Sequence, residues 1–189
     1  MHNTAEFPLV PIQGAQLWPL SVAAYHVLGD AGIIPQNTEL LYGFVYRKMA
    51  KSPLHSALVQ RLIRLMTSAL PPGFSLRSEQ PITCADSEPE PDISVTRGNE
   101  QDYEKSHPTS AGLVIEVAIS SPALDRANAS LYAEAGVKEY WIVPAQQRQV
   151  EVYRGVSAGR YSEHFFCGPG DELQCVALPN IRFSCADIL

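Results

Sequence analysis

Residues Leu113–Ile119 read LVIEVAI, six apolar residues around one acid. An unbroken apolar run of this length belongs to a strand covered on both faces, as in the parallel part of an α/β sheet. An ionised carboxylate in such a strand is costly unless a cation or hydrogen-bond donors meet it. Glu116 therefore marks either a functional position or a stretch of sheet open to water. Val114 and Ala118 lie on its face by the two-residue repeat of a strand and are apolar, which favours function.

The flanking sequence builds outward from this strand. Upstream, Ser87–Pro91 reads SEPEP, an extended stretch with φ fixed at both prolines, and it delivers Asp92 to a short strand, Ile93–Val95. Downstream, Ser121-Pro122 fits the N-cap and first position of a helix running to about Ala135, with Gly136 at the C′ site. Val137–Val143 and Val150–Arg154 read as strands, Arg160–Cys167 as a weaker one, and Gly168–Gly170 as a turn. Near the start, Ser21 caps a short helix, Val22–Asp30, that Gly32 ends. Glu39–Met49 reads as a strand or hairpin arm. Ser52-Pro53 opens a helix to about Ala69, with Leu54, Leu58, Leu62, Leu65 and Ala69 as its apolar stripe. Phe74–Thr83 reads as one or two strand pieces. Strands and helices alternate, so the class is α/β or mixed α+β. The expected organisation is one domain, residues 1–189, with residues 1–35 as an N-terminal helical extension packed on it.

The 189 residues are 46% hydrophobic and 18% charged, enough for a real core and far from disorder or coiled coil. No apolar run is long enough to span a membrane, and the first residues lack a basic region followed by an apolar one, so a cytoplasmic protein is expected. Cys84, Cys167, Cys175 and Cys185 show no C-x-x-C spacing and read as reduced, mostly buried thiols rather than a zinc site. The net charge of −6 argues against a general nucleic-acid coat. The charge is uneven, however. No acid lies between Glu39 and Glu79, where Arg47, Lys48, Lys51, Arg61, Arg64 and Arg77 stand. A phosphate-binding face fits this block; a solvated face paired with acidic loops fits it equally well.

Asp92 and Glu116 sit on strands expected to be neighbours. Two such carboxylates can hold one hard cation, Mg²⁺ or Mn²⁺, with waters completing the octahedron. A cation so held polarises a phosphate and lowers the pKa of a bound water. Taken alone, Asp92 after Pro91 fits a strand-end cap equally well.

These motifs, with Leu131–Val143 (LYAEAGVKEYWIV), Pro19-Leu-Ser-Val, Tyr25, Gly32-Ile-Ile-Pro, Glu39-Leu-Leu and His55 in Ser-Pro-Leu-His, resemble the Uma-two family across about Leu17 to Tyr153. That family comprises endonucleases of the restriction-endonuclease-like PD-(D/E)xK superfamily. The resemblance implies a mixed central β-sheet flanked by helices and a metal held by Asp92, Glu116 and the backbone carbonyl of Val117. Glu39 would be an additional acid lining the site, and the protein would be a homodimer. With DNA as the implied partner, Arg47, Lys48, Lys51, Arg61 and Arg64 become phosphate contacts. His55 joins them as a phosphate contact or proton carrier, although a solvent-facing ring is what its helix-start position favours.

Two departures bear on catalysis. The superfamily places a lysine two residues after the acid, where this chain has Ala118. The family moves that lysine to the next helix, four residues before the tyrosine matched by Tyr132, where this chain has Asn128. The family's Asp-Gly-Glu also reads Tyr42-Gly43-Phe44. Leu124, Asn128, Leu131 and Ala135 share one helix face, which packs on the sheet, so residue 128 points toward the sheet carboxylates. A neutral amide there is expected to be buried and satisfied by polar neighbours. Arg126, about 200° round the helix, faces elsewhere. A fixed cation on the scissile phosphate is worth on the order of 3 kcal/mol, so its loss costs at least about 10²-fold in rate. The expectation is a Mg²⁺-dependent DNA endonuclease with an impaired site. The alternative is a catalytically inactive nuclease fold that serves as a binding or assembly module; a small-molecule metal hydrolase is a weaker third reading.

Overall fold

The fold is that of a computed structural model, which describes residues 16–119 and 122–188. Residues 1–15 of the expected N-terminal extension, and the expected cap Ser121, lie outside the described residues.

Local signals place the first elements. Ser21 Oγ accepts the Ala24 N–H at 3.2 Å and caps α1 (Val22–Asp30). β1 (Thr38–Leu41) and β2 (Phe44–Arg47) form a hairpin through Tyr42-Gly43, with φ of 50° and 77°. Positive φ at both turn residues gives the hairpin turn whose twist matches its strands. Gly43 is required there, because a Cβ would stand 2.3 Å from the Pro19 Cβ. The Tyr25 hydroxyl donates to the Thr38 carbonyl at 2.9 Å and ties α1 to this hairpin. Ser52 Oγ then accepts the His55 N–H and caps α2 (Pro53–Ala69), which has proline in its first turn.

The central sheet follows. β3 (Phe74–Arg77), β4 (Ile93–Arg97), β5 (Leu113–Ala118), β6 (Glu139–Pro144), β7 (Val150–Ser157) and β8 (Arg160–Cys167) lie side by side in that order. β5 and β6 are parallel and every other neighbour is antiparallel. α3 (Ala123–Glu134) makes the crossover that the parallel pair needs. The chain ends in β9 (Glu172–Gln174), β10 (Arg182–Ser184) and α4 (Cys185–Ile188). This is the mixed sheet flanked by helices that the family resemblance implied.

Both faces of β5 are covered. Leu113, Ile115 and Val117 join Ile93, Val95 and Trp141 in a core closed by Leu58, Leu62 and Met66 of α2 and by Leu173, Phe183 and Ile188 of the C-terminal elements. On the other face Val114 and Ala118 pack with Tyr140, Ile142 and, from α3, Leu131 and Tyr132. Among the described residues, no helix is long and apolar enough to cross a membrane. All four cysteines are free thiols, three of them buried.

Some expectations need correction. Of Phe74–Thr83, read as one or two strand pieces, one piece forms, Phe74–Arg77, and the rest is irregular. The buried stripe of α2 is His55, Leu58, Val59, Leu62 and Met66, while Leu54 is half-exposed. On α3, likewise, Leu124 is half-exposed and Asn128, Leu131 and Tyr132 are buried. Each helix is rotated by about one residue from its purely apolar stripe, and the rotation of α2 buries His55.

Leu62 is fully buried between α2 and the sheet, whereas Arg64 is exposed. Leu62→Ala is expected to cost about 2–5 kcal/mol, and Arg64→Ala under about 0.5 kcal/mol, in urea denaturation.

Candidate active site

The register of β4 and β5 decides where the two sheet acids lie. Ile93 pairs with Ile115, so Asp92, one residue before β4, stands opposite Glu116. Directly opposed residues of an antiparallel pair project to one face. β4 begins only at Ile93, which leaves the Val117 N–H without a ladder partner on that side. Asp92 Oδ2 accepts that N–H at 2.8 Å. In return the Asp92 N–H donates to Glu116 Oε2 at 3.1 Å. The two carboxylates are thus laced through each other's backbone.

Other segments complete the surroundings. From α2, His55 Nε2 lies 3.0 Å from Asp92 Oδ2, and His55 Nδ1 is buried without a partner among the described residues. Lys51, just before α2, places Nζ 2.6 Å from Glu79 Oε1 and 3.5 Å from Asp92 Oδ1. From α3, the Tyr132 hydroxyl donates to Glu116 Oε1 at 3.0 Å. From β1, Glu39 Oε2 accepts the Glu90 N–H at 3.4 Å, and Lys48 pairs with Glu90.

The charges are divided unevenly. Burial would raise the Asp92 pKa, but hydrogen bonds from His55 and the Val117 N–H, with the nearby His55 and Lys51, hold it below the ordinary value. Glu116 is pushed well above its ordinary value, first by burial and then by Asp92, Asp125 and Glu39; only the Asp92 N–H among the major influences opposes this. No cationic side chain pairs with Glu116 among the described residues. Its side chain is crowded by protein yet keeps an accessible edge. Glu39 is raised by burial, with the Glu90 N–H and Lys48 opposing. Asp125 is raised to about 6 by burial and by Asp92 and Glu39.

The structure therefore brings together Glu39, Asp92, Glu116 and the Val117 backbone. Asn128 is reached by helical position alone. Asp125 and Tyr132, three before and four after it, both address this centre, so Asn128 lies on the same stripe of α3. Asn128 is buried, as expected, and none of its amide atoms is among the buried side-chain atoms left without a partner. Arg126 faces away and pairs with Glu151 through two oxygens, as its helical position required. His55, expected to face solvent, is buried against Asp92 instead. Arg47 and Arg64 are exposed and Arg61 partly so, and none of the three forms an ion pair among the described residues. Asp125 was missed by sequence reasoning; its spacing of seven from Tyr132 was the available signal. A cleft of about 700 Å³, lined by Arg97, Tyr103, Lys138 and Arg154, opens at the opposite end of the strands. The chemistry gathers at the acids, not there.

The donor set consists of carboxylate and backbone oxygens, the kind that suits Mg²⁺ or Mn²⁺. No group of three or more His, Cys, Asp or Glu side chains is arranged to hold a metal among the described residues. A metal held here would have fewer than three such side chains among its ligands, with backbone oxygens and water supplying the rest.

The sequence profile of Uma2, described as "Putative restriction endonuclease", matches residues 34–186. The chain belongs to the Uma2 family. No curated protein matches it in sequence. Among solved structures it resembles a protein of Anabaena variabilis described as "a putative nuclease belonging to DUF820". The TM-score is 0.74 at 18% identity, over 90% of this chain and 97% of that one, a likeness of fold.

Asp125 gives this Uma2 protein a pH signature. Its folded-state pKa of about 6 exceeds the ordinary 3.8, so the folded chain holds this proton more tightly than the unfolded chain does. Its stabilising contribution is complete below the ordinary value and is lost as pH rises through the folded one. Asp125→Asn is expected to raise the urea midpoint above about pH 7 and to change it little near about pH 4. An equal shift at both pH values would contradict the charge as the cause.

Proposed function

We propose that this Uma2 protein is a metal-dependent endonuclease that hydrolyses DNA phosphodiesters. The single observation behind this reading is the meeting of Asp92 and Glu116 across β4 and β5, with Glu39 and Asp125 around them. Asp92, Glu116 and the Val117 carbonyl would hold Mg²⁺ or Mn²⁺. A strand residue turns its N–H and C=O toward the same neighbour. The Val117 N–H reaches Asp92, so its carbonyl is directed to that side too. When bound, the cation supplies Lewis-acid polarisation of the phosphate and an acidified water.

The protein's own residues set the geometry. His55 fixes the Asp92 rotamer, and the Tyr132 hydroxyl fixes Glu116. Glu39 and Asp125 add negative field that strengthens attraction for a divalent ion. Arg47, Arg61 and Arg64 meet backbone phosphates, giving affinity that falls with salt. Ala118 and Asn128 leave β5 and α3 without a cation for the scissile phosphate. That observation favours a second reading, a nuclease fold that binds DNA or a protein partner without cutting.

Nicking of supercoiled plasmid DNA with Mg²⁺ or Mn²⁺ separates the two. The wild type is expected to nick and Glu116→Gln to lose at least about 10²-fold. Equal cleavage by both proteins would remove Glu116 from the mechanism. No cleavage by the wild type, with cleavage gained by Asn128→Lys, would establish the silent fold.

A further inference from the structure

Lys51 stands immediately before the α2 cap, Ser52, and enters the acidic centre from the face opposite α3. Its Nζ lies 3.5 Å from Asp92 Oδ1, and its side chain remains 30% exposed. Among the described residues, no other Lys or Arg forms an ion pair with Asp92 or Glu116. Lys48 pairs with Glu90, Arg126 with Glu151, and the Arg77 guanidinium lies over the Tyr103 ring. The positions where the superfamily and the family place a lysine hold Ala118 and Asn128.

We propose that Lys51 supplies the missing cation, delivered by the segment before α2 instead of by β5 or α3. The inference rests on the nuclease reading above. The Lys51 ammonium contacts a non-bridging oxygen of the phosphate held at Asp92 and offsets the charge that grows there. It transfers nothing. The water oxygen bonds to phosphorus, the bond to the leaving oxygen breaks, and one proton of the water ends on that leaving oxygen.

Glu79 is the positioning residue. Its carboxylate holds Lys51 at 2.6 Å. Its backbone has φ of 56°, in the left-handed region, and its N–H donates to the carbonyls of Pro91 at 3.1 Å and Asp92 at 3.3 Å. The residue that holds the lysine is thereby pinned to the backbone that presents the metal-binding acid. Cation and carboxylate keep one spacing although they come from separate parts of the chain. The partial exposure of Lys51 matters equally: a lysine sealed between Glu79 and Asp92 would serve folding alone, whereas this one can be reached by a phosphate.

Lys51→Met is the test, with supercoiled plasmid and Mg²⁺ as probes. Cleavage is expected to fall at least about 10²-fold. Mg²⁺ binding by calorimetry should persist or tighten, because a positive neighbour of Asp92 has gone. The slope of log DNA affinity against log salt should shrink by about one. Lys51→Arg should recover part of the rate, and the double variant Lys51→Met with Asn128→Lys should recover more, which rules out misfolding as the cause. Wild-type cleavage by Lys51→Met, with Glu116→Gln inactive, overturns the proposal and leaves the nuclease reading standing. A wild type that binds Mg²⁺ and DNA yet does not cut overturns both.

Discussion

Asp92 and Glu116 face each other across one antiparallel strand pair, and the rest of the site is arranged around that meeting. Opposed residues in such a pair have Cβ atoms about 5 Å apart; two full charges near that distance repel by roughly 3 kcal/mol at an effective dielectric of about 20. The protein resolves the conflict by treating the two acids differently. Asp92 receives the Val117 N–H, His55 and Lys51 and stays ionised. Glu116 receives a tyrosine hydroxyl and one N–H and is driven toward its neutral form. A pair split in this way titrates as a unit, and a divalent ion is the species that would let both acids carry charge.

The fold explains why these groups meet where they do. β4 starts late, after a proline-fixed approach, and so leaves the β5 backbone uncovered next to Glu116. Asp92 fills that gap with its side chain, which answers the requirement that a buried N–H be paired. The two helix layers then close on the same end of the sheet from opposite faces. α2 brings His55, and the segment before it brings Lys51; α3 brings Asp125 and Tyr132; the β1–β2 hairpin brings Glu39. Each contributes a polar side chain at the edge of an otherwise apolar stripe, so the site is built where three packing surfaces run out.

Much of this was readable in the sequence. The run LVIEVAI pointed to a strand covered on both faces, and Ser21 and Ser52 marked helix starts through their local hydrogen bonds. Asp92 and Glu116 stood out because charge in an apolar or proline-stiffened context needs a reason. What could not be read depends on distant contacts. His55 looked like a surface residue because nothing nearby in sequence shows that Asp92 lies across from it. Asp125 went unremarked, because burial and the nearness of Asp92 and Glu39, which together raise its pKa to about 6, arise only in the folded chain. β9, β10 and α4 are short and gain their stability from the core they cover, so they left little periodic signal. Lys51 read as one base in a block of six; the ion pairs with Glu79 and Asp92 set it apart.

The most direct test of the central claim is anomalous diffraction from crystals of this protein soaked in Mn²⁺. The account predicts one ordered Mn²⁺ peak at about 2.0–2.3 Å from oxygens of both Asp92 and Glu116, absent in Glu116→Gln crystals. A Mn²⁺ peak elsewhere, or none at this centre with the two carboxylates ordered, would contradict it.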